Sequence, residues 1–184
     1  MRYLRVVVLL FLLLAGACSP EFTANTQTTV KTAPQRATVS ARDIKVLDGD
    51  TISYKGATVR LMGYDTPEKA NAERFKGSQE PYASRAEIKL RDILTGAAKV
   101  EIAYLREGDK YGRKLAHVYA DGVTIGVALI KAGLAYANVD HFGAQGFDEE
   151  AKQLRDAVAS SPKPEFEEPF KWRARNTIKS SRDE

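Results

Sequence analysis

The sequence predicts an α+β fold with a mainly β core: an OB-like barrel of five strands carrying three helices. Three observations lead there. Short apolar segments alternate with period two between glycine-containing turns from residue 39 to residue 63. Segments of helical period follow at three later places, and two more β-prone segments lie between the first and second of these. A chain of 184 residues has room for one such domain plus tails, enough to bury a core without disulfides or a structural metal.

Val39 to Val46, Thr51 to Tyr54 and Ala57 to Gly63 read as the first three strands. Asp48-Gly49 and Lys55-Gly56 separate them, and glycine there supplies the positive φ that tight hairpin turns require. A polar loop runs from Glu68 to Gln79. Ala86, Leu90, Ile93 and Leu94 then share one helical face, which ends before Gly96. Lys99 to Leu105 alternates, with Val100, Ile102 and Tyr104 on one side, and Lys114 to Ala120 closes at Asp121-Gly122. These are two further strands, joined by the loop that holds Lys110 and Tyr111. Val123 to Ala132, with Ile125, Leu129 and Ile130, predicts a second helix stopped by Gly133. Asp148 to Ala159, with Ala151, Leu154 and Val158 at helical spacing, predicts a third.

The ends are organised differently. Arg2 and Arg5 precede an apolar run from Val6 to Ala15, followed by Ala15-Gly16-Ala17-Cys18, which is the pattern of an export signal. The run is shorter than the roughly 20 apolar residues of a comfortable membrane-spanning helix. Cys18 is the one cysteine of the chain, so it forms no internal disulfide, and its place resembles the lipobox of bacterial lipoproteins, with Ala15 where Leu is usual. Lipid attachment at Cys18 on the cell envelope is the expectation. Ala15-Gly16-Ala17 also satisfies the small-x-small rule for ordinary signal cleavage, and release as a soluble secreted or periplasmic protein is the alternative. The Thr-rich stretch that follows reads as a flexible tether. Residues 161–184, rich in Pro and charge, are expected to pack partly on the domain surface. The expected boundaries are a leader at 1–17, Cys18 and tether at 18–36, a domain at 37–160 and a tail at 161–184. Setting aside the two leader arginines lowers the formal charge from +4 to +2, so affinity for a polyanion has to come from local clustering of Lys and Arg.

Three segments carry candidate chemistry: Asp48-Gly49-Asp50-Thr51, Arg60 to Glu68, and Asp109-Lys110-Tyr111-Gly112-Arg113. Asp50 starts the second strand and Asp65 ends the third, so neighbouring strands bring both carboxylates to one rim as an oxygen-rich site for a hard cation. Zinc is disfavoured, since the lone cysteine lies by the tether and His117 and His141 are far apart in sequence. Arg60 and Arg113 each present a planar fork of donors that stays charged and grips two oxygens of a phosphate. Glu68, set just after Thr66-Pro67, is placed to accept a hydrogen bond from an attacking water. An unperturbed Glu, with a pKa of about 4.3, is a weak base toward ordinary water, so metal coordination has to help, and Glu68 either aims the nucleophile or also takes its proton. Taken singly, each segment also reads as a turn, a surface ion pair or a polar loop.

In order and spacing, together with Gln79-Glu80-Pro81-Tyr82 and Tyr119-Ala120-Asp121-Gly122, these segments resemble the staphylococcal nuclease (thermonuclease) family from about Thr38 to Val139. The resemblance implies an OB-type five-stranded barrel with three helices and Ca²⁺-dependent, sequence-nonspecific cleavage of DNA and RNA that leaves 3′-phosphate ends. It implies Ca²⁺ binding by Asp50, Asp65 and the Thr66 carbonyl, with Asp48 close by through water. Arg60, Glu68 and Arg113 correspond to its catalytic residues, and Lys110 and Tyr111 lie near a terminal phosphate of the substrate. Two departures stand out. Val139 and His141 occupy the positions of a tyrosine pair that packs on the nucleotide in family members, with Tyr136 nearby. Ser160-Ser161-Pro162 interrupts the usual basic ending of the last helix, and Trp172 comes later. A monomer is the expected form. The reading from another class is a non-catalytic OB-like module that binds nucleic acid or a protein partner. Such a module has no need of Asp50, Arg60, Asp65, Glu68 and Arg113 together.

Overall fold

The computed structural model describes residues 34–178; the leader, Cys18 and most of the tether lie outside the described residues. In chain order the strands are β1 (Ala37–Val39), β2 (Ile44–Val46), β3 (Thr51–Tyr54), β4 (Ala57–Leu61), β5 (Tyr64–Asp65), β6 (Val100–Tyr104), β7 (Lys114–Ala120), β8 (Val123–Thr124) and β9 (Tyr136–Ala137). The helices are α1 (Tyr82–Gly96), α2 (Ile125–Lys131), α3 (Val139–Phe142), α4 (Asp148–Ala159) and α5 (Pro169–Asn176).

Six strands form the path β1-β6-β7-β4-β3-β2, with β8 paired to β7, and all pairings are antiparallel except β4 with β7. The two strands at the ends of that path are consecutive in the chain. β2 and the last residue of β1, Val39, fall within the segment predicted as one strand over Val39 to Val46; β1 begins two residues earlier, and a 3₁₀ turn at Ala41–Asp43, which Ser40 caps through Arg42 N at 3.3 Å, separates the two. The break lets β1 pair with β6 and β2 with β3, which curls the sheet back on itself in an OB-like way. The five predicted strands are therefore present, the first of them in two pieces.

Period-two burial and turn chemistry agree in the β3–β4 hairpin. Ile52 lies opposite Val59, both fully buried, and the turn at Lys55 and Gly56 has φ of 49° and 77°. Asp48-Gly49 is different from its expected form. Gly49 has no positive φ; a Cβ there would lie 2.7 Å from the Ala86 Cβ and 2.8 Å from the Thr66 Oγ1. Glycine is needed at this turn because α1 and Thr66 press against it.

The helix faces follow the 3.6-residue period. α1 buries Ala83, Ala86, Leu90 and Leu94, starting one turn earlier than the apolar pattern indicated. α2 begins at Ile125 because Val123 and Thr124 complete a strand pair with β7. On α4 Ala151, Leu154 and Ala157 face inward, whereas Val158, expected on that face, is half exposed. Each fully buried Leu or Ile, such as Ile52, Leu90, Leu129 and Leu154, contributes about 1.5–3 kcal/mol by leaving water. β5, β9, α3 and α5 were not apparent from the sequence. Within the segment from residue 161, the described residues include a helix opened by Pro169 at its first position.

Candidate active site at the β3–β4–β5 rim

Antiparallel pairing sets Thr51 opposite Arg60, which places Asp50 beside that arginine. Asp50 is buried and fixed by backbone and hydroxyl donors: Thr66 N donates to its Oδ2 at 2.8 Å and Thr51 Oγ1 to its Oδ1 at 3.2 Å. Asp48 turns back on the same loop, its Oδ1 accepting from Asp50 N at 3.1 Å. Asp65 ends β5, held against Tyr136 of β9. Arg60 Nη1 contacts Asp50 and Nη2 donates to Asp65 Oδ1 at 2.5 Å and to the Tyr64 carbonyl at 3.3 Å. One guanidinium thus gathers both predicted metal-binding carboxylates.

Sequence reasoning missed the second arginine at this cluster. Arg173 of α5 donates from Nη2 to Asp65 Oδ2 at 2.6 Å, and from Nη1 to Asp65 Oδ1 at 3.1 Å and Glu68 Oε1 at 2.5 Å. Glu68 is further anchored through its backbone, which exchanges hydrogen bonds with Gln79 at 2.8 and 3.1 Å. No motif marks Arg173; the one available signal was a basic residue within the Pro-Phe-Lys-Trp-Arg cluster of the tail.

Burial and charge act against each other here. Burial pushes the Asp48 carboxyl up, more strongly than Arg60 pulls it down. Burial also acts to raise Asp65, but Arg60 and Arg173 together overcome it and hold that carboxyl below the usual range. Arg173 itself is raised: its two carboxylate partners outweigh burial.

Arg113 stands apart from this cluster. It precedes β7, the strand that runs parallel to β4 with Lys114 beside Val59. Its Nε donates to Asp109 Oδ2 at 2.7 Å, and Asp109 Oδ1 accepts from the backbone N–H groups of Tyr111 and Arg113, both at 2.9 Å. Burial would raise Asp109, and these donors lower it overall. Among the described residues the Arg113 terminal nitrogens have no acceptor, so one guanidinium edge is fixed and the other is available. Tyr111 is 69% exposed, with the Lys110 Nζ 5.1 Å and the Arg113 Cζ 5.5 Å from its ring centre.

Other side chains have partners of their own. In the loop after Glu68, Lys69 pairs with Glu87 and Arg74 lies over Phe75. Of the residues in place of a tyrosine pair, Val139 is buried, and His141 meets Phe142 edge to face at 4.5 Å and Phe170 at a tilt at 5.3 Å. Among the described residues, no three His, Cys, Asp or Glu side chains converge as a metal cage. What the rim offers instead is two converging buried carboxylates with backbone oxygens nearby, a hard-oxygen set that fits Ca²⁺ or Mg²⁺ completed by water and rules against a thiophilic metal.

A sequence model described as "Staphylococcal nuclease homologue" matches residues 58–164. That span contains Arg60, Asp65, Thr66, Glu68, Lys110, Tyr111 and Arg113, and excludes Asp50 and Arg173. The chain is similar to Endonuclease YncB of Bacillus subtilis (strain 168), 35% identical over 106 residues, covering 55% of this chain and 49% of that protein. It is 30% identical over 148 residues to an uncharacterized endonuclease of Escherichia coli O157:H7, covering 76% of this chain and 88% of the relative. It is also 30% identical over 161 residues to a micrococcal nuclease of Shigella flexneri, covering 78% and 86%. The chain thus spans about half the length of the Bacillus relative and most of the other two.

Proposed function

Given that the chain belongs to the staphylococcal nuclease family, we propose that it is a Ca²⁺-dependent, sugar-nonspecific nuclease that hydrolyses DNA and RNA to leave 3′-phosphate ends. The observation that carries the proposal is the convergence of Asp50 and Asp65 on Arg60, with Arg113, just before the parallel neighbour strand, presenting unpaired donors.

The chemistry assigned to each side chain follows from what its atoms do. Asp50, Asp65 and the Thr66 carbonyl are the residues that would hold Ca²⁺. Bound there, the ion supplies positive charge toward a non-bridging phosphate oxygen and lowers the pKa of a coordinated water. Arg113 offers its free edge to the phosphate from the side of β7, and Arg60, fixed at its carboxylates, meets the charge that builds on the equatorial oxygens. Glu68 accepts a hydrogen bond from the water that attacks phosphorus. As the water oxygen bonds to phosphorus the bond from phosphorus to the 5′ oxygen breaks, and the proton given up by the water balances the one taken up by that oxygen, which leaves as a hydroxyl while the phosphate stays on the 3′ side. None of these groups reads a base, so cleavage is independent of sequence.

The proposal includes export of a monomer, anchored to the bacterial cell envelope through a lipid at Cys18; the basic start, the apolar run and the position of that cysteine support it. Mass spectrometry of the mature N-terminus tests the anchor, and an unmodified Cys18 rejects it. Incubation with DNA and RNA in Ca²⁺ or chelator, followed by identification of the product ends, tests the chemistry. Intact substrate in Ca²⁺ rejects the enzyme and leaves a binding module.

A further inference from the structure

Arg173 lies outside the sequence motifs and beyond the span matched by the family model, yet among the described residues it is the side chain that touches both Asp65 and Glu68. The segment that delivers it is fastened along the loop that carries Glu68. Gln79 Nε2 donates to the Glu167 carbonyl at 2.6 Å, Lys76 N to the Asn176 carbonyl at 2.8 Å and Ile178 N to the Arg74 carbonyl at 2.8 Å. Phe75 meets Trp172 edge to face at 5.4 Å. Further back, Tyr136 of β9, the partner of Asp65, donates its hydroxyl to the Phe166 carbonyl at 2.9 Å. The tail is therefore tied to both of the elements that present the two carboxylates.

We propose that Arg173 is a positioning residue for phosphodiester hydrolysis, clamping the Glu68 carboxylate to Asp65 so that the water it aims is held at a fixed place relative to the cation-facing carboxylates. This rests on the nuclease reading above. The physical reason is the shape of the guanidinium. A planar fork bonds both oxygens of Asp65 and an oxygen of Glu68 at once, which a single ammonium does not reproduce. Glu68 has several free torsions on an exposed-side loop, and a misplacement of about 1 Å at a reacting group is enough to cost on the order of 100-fold in rate. The clamp leaves part of the Asp65 lone-pair capacity unused, since a carboxylate offers about four acceptor sites and three donors occupy it here.

Arg173→Ala and Arg173→Lys in the otherwise intact chain test this by two readouts. In steady-state kinetics Arg173→Ala is expected to lower kcat by about 10–100-fold with KM changed less than about threefold, as for other residues that orient a site through its ligands. Arg173→Lys, which keeps the charge and the packing of α5, is expected to stay about tenfold below the parent because the fork is lost. In the Ca²⁺-free protein, amide exchange across residues 66–79 is expected to quicken in both variants while α1 and α4 keep their protection. A rise in kcat would make Arg173 a plug, a change in KM alone would make it a substrate ligand, and parental kinetics in Arg173→Lys would make it packing; each overturns the proposal. Should the parent itself fail to cleave, the nuclease reading falls, while unchanged exchange at 66–79 in Arg173→Ala separately rejects the clamp.

Discussion

Glu150 and Asp65 are both buried carboxylates gripped by arginine within the same domain. Glu150, in the first turn of α4, accepts from Arg36 Nη2 at 2.8 Å and from the Tyr119 hydroxyl at 2.8 Å, and Arg36 lies 3.7 Å over the Tyr119 ring. That group is closed: one carboxylate, one guanidinium and a phenol whose ring the cation covers. Around Asp65, by contrast, Asp50, Asp65 and Glu68 share Arg60 and Arg173, and Asp48 sits on the same loop as Asp50. The acids outnumber the bases. A balanced buried pair holds a fold together, whereas an excess of acid over arginine, with Asp50 and Asp65 buried within it, would be completed by something positive, and a divalent cation is the simplest completion.

The largest effects separate the two arginines of the rim. Arg60→Ala and Arg113→Ala are each expected to lower turnover by about 10²–10³-fold, the cost of removing one preorganised donor from a developing charge. Their stabilities should diverge. Arg60→Ala leaves Asp50 and half of Asp65 buried without their cation and should cost about 3 kcal/mol in Ca²⁺-free protein, recovering with added Ca²⁺. Arg113→Ala removes a partly exposed pair within one loop and should stay within about 1 kcal/mol of the parent by denaturant unfolding. Equal losses of stability would erase the distinction between a locked and an available guanidinium.

Next in size is a pH effect from the closed side. His117 is buried beside Thr124 and Phe147, and burial, with a smaller push from Arg36 against the pull of Glu150, lowers it to about 4. An unfolded histidine titrates near 6.5, so between these values the unfolded chain binds more protons. The contribution is complete above about pH 6.5 and is lost as pH falls toward 4, by about 3 kcal/mol. Unfolding measured across that window should slope in the parent and flatten in His117→Gln. Glu150→Gln should cost about 1–2 kcal/mol near neutral pH and leave kcat unchanged. A fall in kcat there would show that the two clusters communicate.

The contrast between clusters also explains what could be read beforehand. Asp50, Arg60 and Asp65 are joined by one hairpin and the strand after it, so local register brings them together and a short motif records it. The breaking of the first strand at Ser40 is set by a side-chain cap and the closing of the sheet, which period-two alternation does not encode. Gly49 was legible as a turn residue but its reason was not: the helix pressing on it comes from more than thirty residues later. Arg173 reaches Asp65 across 108 positions on a helix with one buried residue, Pro169, so neither spacing nor amphipathic pattern announces it.

The smallest effect concerns the aromatics on the two sides of the rim. Tyr111 stands by Arg113, and Phe142 and Phe170 remain more than half exposed, with His141 edge-on to the first and tilted to the second. Phe170 lies one helical turn before Arg173 on α5. A base splayed from a single strand can cover such a ring, and one stacking contact is worth about 1 kcal/mol at the low end. Phe170→Ala should therefore raise KM for single-stranded substrate about fivefold, leave kcat unchanged and affect duplex cleavage less, since paired bases do not present their faces. An equal change for both substrates would assign the ring to electrostatic shielding of Arg173 rather than to stacking, and a fall in kcat would mean that it helps seat α5. Because Tyr111 belongs to the loop of Arg113 and Phe170 to the helix of Arg173, combining Phe170→Ala with Tyr111→Ala should give additive losses in KM if each side holds its own nucleotide, and less than additive losses if one base reaches both.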